Sequence, residues 1–198
     1  ALHWLSVGAQ PSDAVPDDAS DPTPSTVPTT TTPTDDPVAD EKHMSVDGIV
    51  IGGTGNTEFK QLLLAHLPKL LVQDYSSELS VGLGSGILVG ESALHGGVER
   101  ITSVEIEPSV IAGAAYFSDE NHRVLERPDV DIVADDIGNF LRTTTGRYRV
   151  ITADEKTADE YASNGFSYSL DYYDLLRGHL APGGLLMQWV PATLPPSQ

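Results

Sequence analysis

The chain has 198 residues, of which 29 are acidic and 11 are lysine or arginine, so its formal net charge is -18. This excess argues against a nucleic-acid partner, because binding to phosphates requires a surplus of basic side chains. The absence of cysteine excludes disulfides and thiolate metal sites. No apolar run approaches the roughly 18 residues of a membrane span, and the N-terminus lacks the pattern of a signal peptide. We therefore expect a soluble, cytoplasmic protein without a membrane partner.

Residues 16–43 are dominated by Pro, Thr and Asp and contain almost no large apolar side chain. Such a segment cannot bury enough apolar surface to offset the entropy of ordering the chain. The composition therefore predicts a disordered linker over residues 16–43. It separates a short N-terminal segment, residues 1–15, from a domain at residues 44–198.

The segment of residues 1–15 is apolar and aromatic, unlike the linker that follows it. Its distinctive positions are Trp4, Leu5, Gly8, Ala9, Gln10, Pro11 and Asp13. This pattern resembles a short segment of a bacterial small-subunit ribosomal protein, the sixteenth. The body of that protein is not represented, so we predict no ribosomal function from it. A loosely ordered tail or a fusion remnant is the alternative interpretation.

Strand and helix patterns alternate beyond Met44. A short strand or hairpin is predicted at residues 46–53, followed by an amphipathic helix at residues 57–72 that stops near Pro68. The further predicted strands are residues 78–83, 100–107, 129–135, 147–154 and 183–190, and the further helices are residues 87–94, 108–117, 137–144 and 169–180. This alternation predicts a Rossmann-like α/β fold with an open, mostly parallel sheet.

A glycine-rich stretch, Ser80–Leu88, lies at the junction of a predicted strand and helix, and carries Gly82, Gly84 and Gly86. Glycine permits positive φ and removes the Cβ that would hold a ligand away from the backbone amides. The dinucleotide fingerprint needs its third glycine one residue later, where this chain has Ile87. The tighter spacing is the form used by proteins that bind S-adenosyl compounds, although a glycine-rich turn is often only a tight turn.

Two acids at strand ends complete a candidate nucleoside site. Glu105 ends the strand that follows the glycine loop, where its carboxylate can accept hydrogen bonds from both ribose hydroxyls. Asp136 follows the next strand and is placed to accept a hydrogen bond from an adenine amino group. A solvated strand end is the alternative for Glu105, and its neighbour Glu107 and also Asp135 are expected at the surface.

These motifs follow the order found in the spermidine synthase-like proteins, or polyamine aminopropyltransferases, which this chain resembles over residues 46–191. The resemblance implies the class I methyltransferase fold, truncated at its C-terminus, since the chain stops soon after the fifth predicted strand. It implies decarboxylated S-adenosylmethionine or S-adenosylmethionine as cosubstrate, and no metal. The residues assigned to this nucleoside by position are Gly82, Gly84, Ser85, Gly86, Glu105, Asp136 and Ile137.

On the acceptor side, the resemblance assigns the catalytic position to Asp154. An amine must lose its proton before it attacks the carbon beside a sulfonium, and a carboxylate can anchor the cation and accept that proton. Gln61, Tyr168 and Asp171 are expected to line the amine pocket. The positions at which the chain departs from the family's usual tyrosine or acid are Lys60, Leu62, Ser85 and Thr157.

Three functional hypotheses stay open. The first is a spermidine synthase-like transferase that moves an aminopropyl group to a polyamine. The second is an S-adenosylmethionine-dependent methyltransferase, and the third is a catalytically inactive nucleoside-binding homologue or scaffold. The expected partners are therefore a small-molecule nucleoside and, for the first hypothesis, a polyamine, and a homodimer is left open as the assembly.

Overall fold

The computed structural model describes residues 4–7, 41–46, 49–154 and 166–190. Its strands are β1 (Trp4–Val7), β2 (His43–Val46), β3 (Ile49–Gly53), β4 (Ser77–Val81), β5 (Arg100–Glu105), β6 (Val130–Ala134), β7 (Tyr148–Ala153) and β8 (Leu180–Trp189). Its α-helices are α1 (Glu58–Leu71), α2 (Ile87–Ala93), α3 (Pro108–Gly113), α4 (Ile137–Thr143) and α5 (Leu170–His179). Residues 8–40 lie outside the described parts of the chain, and with them most of the predicted linker.

Six strands form one sheet in the order β1-β8-β7-β4-β5-β6, and every neighbouring pair is parallel. The chain runs outward from β4 to β5 and β6, and then returns to the other side of β4 with β7 and β8. Ligands of open α/β sheets bind outside the carboxyl ends of the strands, at the point where the order reverses. That point lies between β4, which leads into the glycine loop, and β7, which leads into Asp154. The predicted Rossmann-like parallel sheet is confirmed.

The smaller sheet is an antiparallel hairpin of β2 and β3, in which His43 pairs with Gly53 and Val46 with Ile49. The hairpin begins at the last residue of the predicted linker. It contributes Val46 and Ile51 to the cavity described below. The hairpin is therefore part of the site rather than a peripheral extension.

Strand β1 has no counterpart in the sequence prediction. It pairs in parallel with β8, with Trp4 opposite Leu186 and Val7 opposite Trp189. Four residues carry too little periodicity to identify a strand, and their partner lies far along the chain. The pairing adds a sixth strand at the β8 edge of the sheet.

Helices cover both faces of the main sheet. On one face, α4 and α5 pack against β4, β5 and β7 through Leu79, Val81, Val104, Leu141, Ile151, Tyr172 and Leu176. On the other face, α1 and α2 pack through Leu64, Leu88, Val89, Ile101 and Met187. Leu186 and Met187 of β8 are both buried but belong to opposite faces, as the alternation of side chains in a strand requires. Burial on both faces fixes the register of the strands, and so the relative positions of their carboxyl ends.

The helix predicted at residues 57–72 corresponds to α1, which contains Pro68 and ends three residues later at Leu71. Proline cannot donate a hydrogen bond to the carbonyl of the preceding turn, which normally breaks a helix interior. Here Pro68 lies in the last turn, and the next residue, Lys69, binds the buried Glu78 carboxylate and the Ser92 hydroxyl through Nζ. These side-chain contacts attach the end of the helix to the sheet despite the missing backbone hydrogen bond.

The helix predicted at residues 108–117 divides into α3 and a 3-10 turn at Ala114–Phe117. Within the described residues, none of the helices has the length and apolar character that crossing a bilayer requires.

Candidate nucleoside-binding site

A cavity of about 580 Å³ opens at the carboxyl ends of β4, β5, β6 and β7. This volume lies in the range of small-molecule sites. Its apolar wall is formed by Val46, Ile51, Val81, Leu83, Leu88, Val104, Ile106, Val110, Ile137 and Phe166. Its acidic lining comprises Glu105, Glu107, Asp135, Asp136 and Asp154, and no Lys, Arg or His of the described residues lines it. The cavity therefore combines an apolar wall with a surplus of negative charge.

The glycine loop reaches this cavity through its first two glycines. Gly82, Gly84 and Gly86 all have positive φ, at 85°, 54° and 81°. A Cβ at Gly82 would meet no atom within 4 Å, and one at Gly84 would lie 4.0 Å from the Ile51 carbonyl oxygen. Both positions line the cavity. A ligand can therefore approach the backbone closely at Gly82 and Gly84.

The third glycine has a different role. A Cβ at Gly86 would lie 2.8 Å from Val124 Cγ1 and 3.0 Å from Asn121 Nδ2. Asn121 is almost fully buried, and its Nδ2 donates to the carbonyl oxygens of Ser85 and Ala114 at 2.9 and 2.8 Å. Gly86 thus permits the glycine loop to pack on Asn121 instead of lining the cavity. Sequence reasoning did not single out Asn121, because no local pattern marks it.

Ser85, expected to contact the nucleoside, lies under the loop and does not line the cavity. Its hydroxyl donates to Gln61 Oε1 at 2.8 Å. Gln61 Nε2 in turn donates to the carbonyl oxygens of Gly53 and Thr57, each at 3.0 Å. Gln61 lines the cavity as expected, but both of its amide protons are donated within the protein. Gln61 of α1 therefore links the glycine loop to the end of the hairpin.

Glu105 is held by backbone amides of the glycine loop. Its Oε2 accepts from the N–H groups of Leu83 at 2.9 Å and Gly84 at 3.4 Å, and its Oε1 accepts from Glu107 N–H at 3.1 Å. An ionised carboxylate has about four acceptor positions. The protein occupies three of these positions, and the contact to Gly84 is the longest. The carboxylate is fixed in direction and lines the cavity, as predicted from its place at a strand end.

The loop after β6 brings two neighbouring acids to the cavity. Asp136 is the N-cap of α4, where its Oδ1 accepts from Asn139 N–H at 2.9 Å. Asp135 accepts from the backbone N–H of Asp136 and from Asn139 Nδ2. Asp135 was expected at the surface, but it lines the cavity together with Asp136 and the buried Ile137. Asn139 orients both carboxylates.

Glu107 also lines the cavity, although its side chain is exposed. It is the N-cap of α3 and accepts from Ser109 N–H at 3.0 Å. Hydrogen bonds from the backbone and side chain of Ser109 hold the pKa of Glu107 below its usual range. The carboxylate is therefore charged at neutral pH and adds to the negative potential of the cavity.

Asp154 follows β7 and lines the cavity. Lys60 Nζ of α1 lies 2.5 Å from its Oδ1 and 2.7 Å from its Oδ2. The lysine and aspartate side chains are 10% and 15% exposed, respectively. The sequence marked Lys60 only as a departure from the family. Its contact with Asp154 was missed because the two residues are 94 positions apart.

Tyr168 and Asp171 were expected in an amine pocket, but neither lines this cavity. Tyr168 lies half-buried in a helical turn, and Asp171 lies exposed in the first turn of α5. Phe166 and Ser167 of the same segment line the cavity instead. Successive residues of a helical turn point in different directions, so residue spacing alone did not identify the correct neighbour. Thr157 lies outside the described residues.

The sequence model of the spermine/spermidine synthase domain matches residues 57–190. Polyamine aminopropyltransferase 1 of Pseudomonas aeruginosa is 30% identical over 145 residues, which cover 73% of this chain and 50% of that protein. Spermidine synthase of Dictyostelium discoideum is 32% identical over 142 residues, covering 71% and 49%. The chain thus spans about half the length of the curated relatives that it matches.

Two solved structures share the fold. A spermidine synthase in complex with the transition-state analogue AdoDATO has a TM-score of 0.65 and 22% identity, covering 72% of this chain and 48% of that chain. Spermidine synthase from Thermotoga maritima has a TM-score of 0.60 and 21% identity, covering 72% and 46%. This likeness confirms the fold that the sequence resemblance implied.

Proposed function

Because the chain belongs to the spermine/spermidine synthase domain family, we propose that it binds decarboxylated S-adenosylmethionine and transfers the aminopropyl group to a polyamine. The observation that carries this choice is the acidic lining of the cavity, which has five carboxyl side chains, of which only Asp154 is in an ion pair, and, among the described residues, no basic side chain. Decarboxylated S-adenosylmethionine carries a sulfonium and an ammonium but no carboxylate. S-adenosylmethionine also carries a carboxylate, which the acidic cavity would repel. The cavity therefore favours the decarboxylated compound.

The nucleoside is assigned to the glycine-loop side. Gly82 and Gly84 leave room for the ligand beside the backbone. The Glu105 carboxylate is the acceptor for the ribose hydroxyls, and Asp136 is the acceptor for the adenine amino group. Ile137 supplies apolar surface beside the base. Ser85 and Gly86 act through the loop, which they hold on Gln61 and Asn121.

The transfer step forms one bond and breaks one. The amine nitrogen attacks the propyl carbon next to sulfur, and the electron pair of the C–S bond returns to sulfur. Methylthioadenosine then leaves as a neutral thioether. The proton lost by the amine passes to the Asp154 carboxylate, which lines the same cavity. Holding donor and amine in line supplies most of the rate, because the sulfonium is already a good leaving group.

A second candidate function is nucleoside binding without transfer. The ion pair between Lys60 and Asp154 favours it, because the carboxylate assigned to the amine already contacts an ammonium. Both functions require the same nucleoside site, so they differ only in turnover.

Calorimetry with methylthioadenosine tests the nucleoside site. We expect the full chain to bind it, and Glu105→Ala to abolish binding by removing the ribose acceptor. Glu105→Gln keeps the shape of the side chain but removes its charge, so this variant should bind methylthioadenosine more weakly than the parent protein. Glu99→Ala is the matched control, since Glu99 is an exposed acid outside the cavity lining. A chain that binds no methylthioadenosine at millimolar concentration would contradict both candidate functions.

Supplying decarboxylated S-adenosylmethionine with putrescine then separates the two candidates. Release of methylthioadenosine above background supports the transferase. Nucleoside binding without such release supports the second candidate.

A further inference from the structure

The Lys60–Asp154 pair joins a residue outside the cavity lining to one within it. Asp154 lines the cavity, whereas Lys60 reaches it from α1 and is only 8% exposed as a residue. The ammonium donates to both carboxylate oxygens, at 2.5 and 2.7 Å. The charge of Asp154 is therefore compensated from within the protein.

Asp154 differs in this respect from the other carboxylates of the cavity. Glu105 is held by three backbone N–H groups, and Asp135 and Asp136 are held by backbone N–H groups and the Asn139 amide. Among the described residues that line the cavity, Asp154 alone forms an ion pair. Backbone and amide donors orient a carboxylate without cancelling its charge. An ammonium at both oxygens does cancel it.

An ammonium that is removed from water requires a partner, because an unpaired buried charge is strongly unfavourable. Lys60 therefore remains on Asp154 unless another partner replaces the carboxylate. A cationic amine that uses Asp154 must displace Lys60 or share one compensated carboxylate with it. Either route weakens the attraction between Asp154 and the amine.

We propose that Lys60 is a specificity-determining residue whose ammonium takes the place of an acceptor ammonium on Asp154. It acts as an internal competitor that lowers the affinity for cationic amines. The inference rests on the proposed function, since it assumes that an amine acceptor uses Asp154. The nucleoside side is unaffected, because its carboxylates are held by other donors.

Calorimetry with putrescine tests this proposal on the full chain loaded with methylthioadenosine. Lys60→Met removes the charge and keeps the length of the side chain, whereas Lys60→Arg keeps the charge. We expect putrescine to bind about tenfold more tightly to Lys60→Met than to the parent protein, and Lys60→Arg to resemble the parent. The affinity for methylthioadenosine should be equal in all three. Where turnover is measurable, the KM for putrescine should fall in Lys60→Met with a smaller change in kcat.

Two further variants control for indirect effects. Lys42→Met removes a lysine from an ion pair with Glu120, outside the cavity lining, and should leave putrescine binding unchanged. Lys60→Gln, which retains a hydrogen-bond donor for Asp154, replaces Lys60→Met if the latter does not give a cooperative thermal transition.

Equal putrescine affinity in the parent protein and the neutral variant, with methylthioadenosine bound by both, overturns this inference alone. So does weaker putrescine binding in the neutral variant, because that result makes Lys60 a residue that positions Asp154. A parent protein that binds no methylthioadenosine overturns the proposed function and this inference with it.

Discussion

The two sides of the cavity hold their carboxylates in different ways. On the glycine-loop side, Glu105 is oriented by the backbone N–H groups of Leu83, Gly84 and Glu107. On the opposite side, Asp154 contacts the side chain of Lys60. A site oriented by backbone groups retains its donors through most substitutions, because every residue except proline carries the same N–H. A site oriented by a side chain can change its charge through one substitution. The orientation of Glu105 is therefore less sensitive to single substitutions than the charge balance at Asp154.

The largest effect on the free energy of unfolding is expected from Gly86→Ala, on the glycine-loop side. The new Cβ would meet Val124 and Asn121 and would also require alanine at positive φ. We expect a loss of about 2–4 kcal/mol in the free energy of unfolding, measured with urea. Gly82→Ala is the matched variant, since it has the same sign of φ but no atom within 4 Å of its Cβ. It should cost about 1–2 kcal/mol while weakening methylthioadenosine binding. Equal losses of stability in both variants would contradict the packing role of Gly86.

An intermediate effect is expected from Asp136→Ala, which tests whether this carboxylate serves the ligand as well as the fold. Asp136 caps α4, and Ser169 caps α5 outside the cavity lining by accepting from Tyr172 N–H. Replacement of either residue by alanine should lower the free energy of unfolding by about 1 kcal/mol. Only Asp136→Ala should also weaken methylthioadenosine binding, by about tenfold in calorimetry. If both variants bind the nucleoside like the parent protein, Asp136 does not contact adenine.

The smallest effect is expected from substitution of His95. This residue lies outside the cavity lining, so its substitution should change the stability of the protein without changing ligand binding. Burial, followed by the positive charge of Lys69, holds the pKa of His95 below its usual value. As the pH falls, His95 therefore becomes protonated at a higher pH in the unfolded chain than in the folded protein. The contribution of neutral His95 to the free energy of unfolding is present above about pH 6.5 and declines as the pH falls below that value. The melting temperature should fall less between pH 7.5 and 5.5 in His95→Asn than in the parent protein. Equal decreases in the two proteins would contradict this contribution.

Much of the fold could be predicted because it depends on local patterns. Alternation and helical periodicity identified the five strands β4 to β8 and the five helices α1 to α5, and acids at strand ends identified Glu105 and Asp136. Strand β1 could not be predicted, since four residues carry little periodicity. The contacts of Lys69, in the last turn of α1, with Glu78 and Ser92 could not be predicted either. No local pattern contains those contacts.

Only part of the candidate site could be predicted from the sequence. A motif assigned all three glycines and Ser85 to the ligand, but motif spacing does not say which side of a loop faces a cavity. Gly86 packs against Asn121, whereas Gly82 and Gly84 line the cavity. The hydrogen bond to Gln61 turns Ser85 away from the cavity.

The sequence by itself determined the family, the order of strands and helices, and the acids that meet at one edge of the sheet. These features follow from residue type and from spacing along the chain. Only the tertiary structure decided which glycines face the cavity and which carboxylate carries an internal cation. The second decision depends on α1 packing against the sheet, which brings Lys60 to Asp154 across 94 positions of sequence. Contacts at that separation result from the packing of whole elements, so they are not encoded in any short segment.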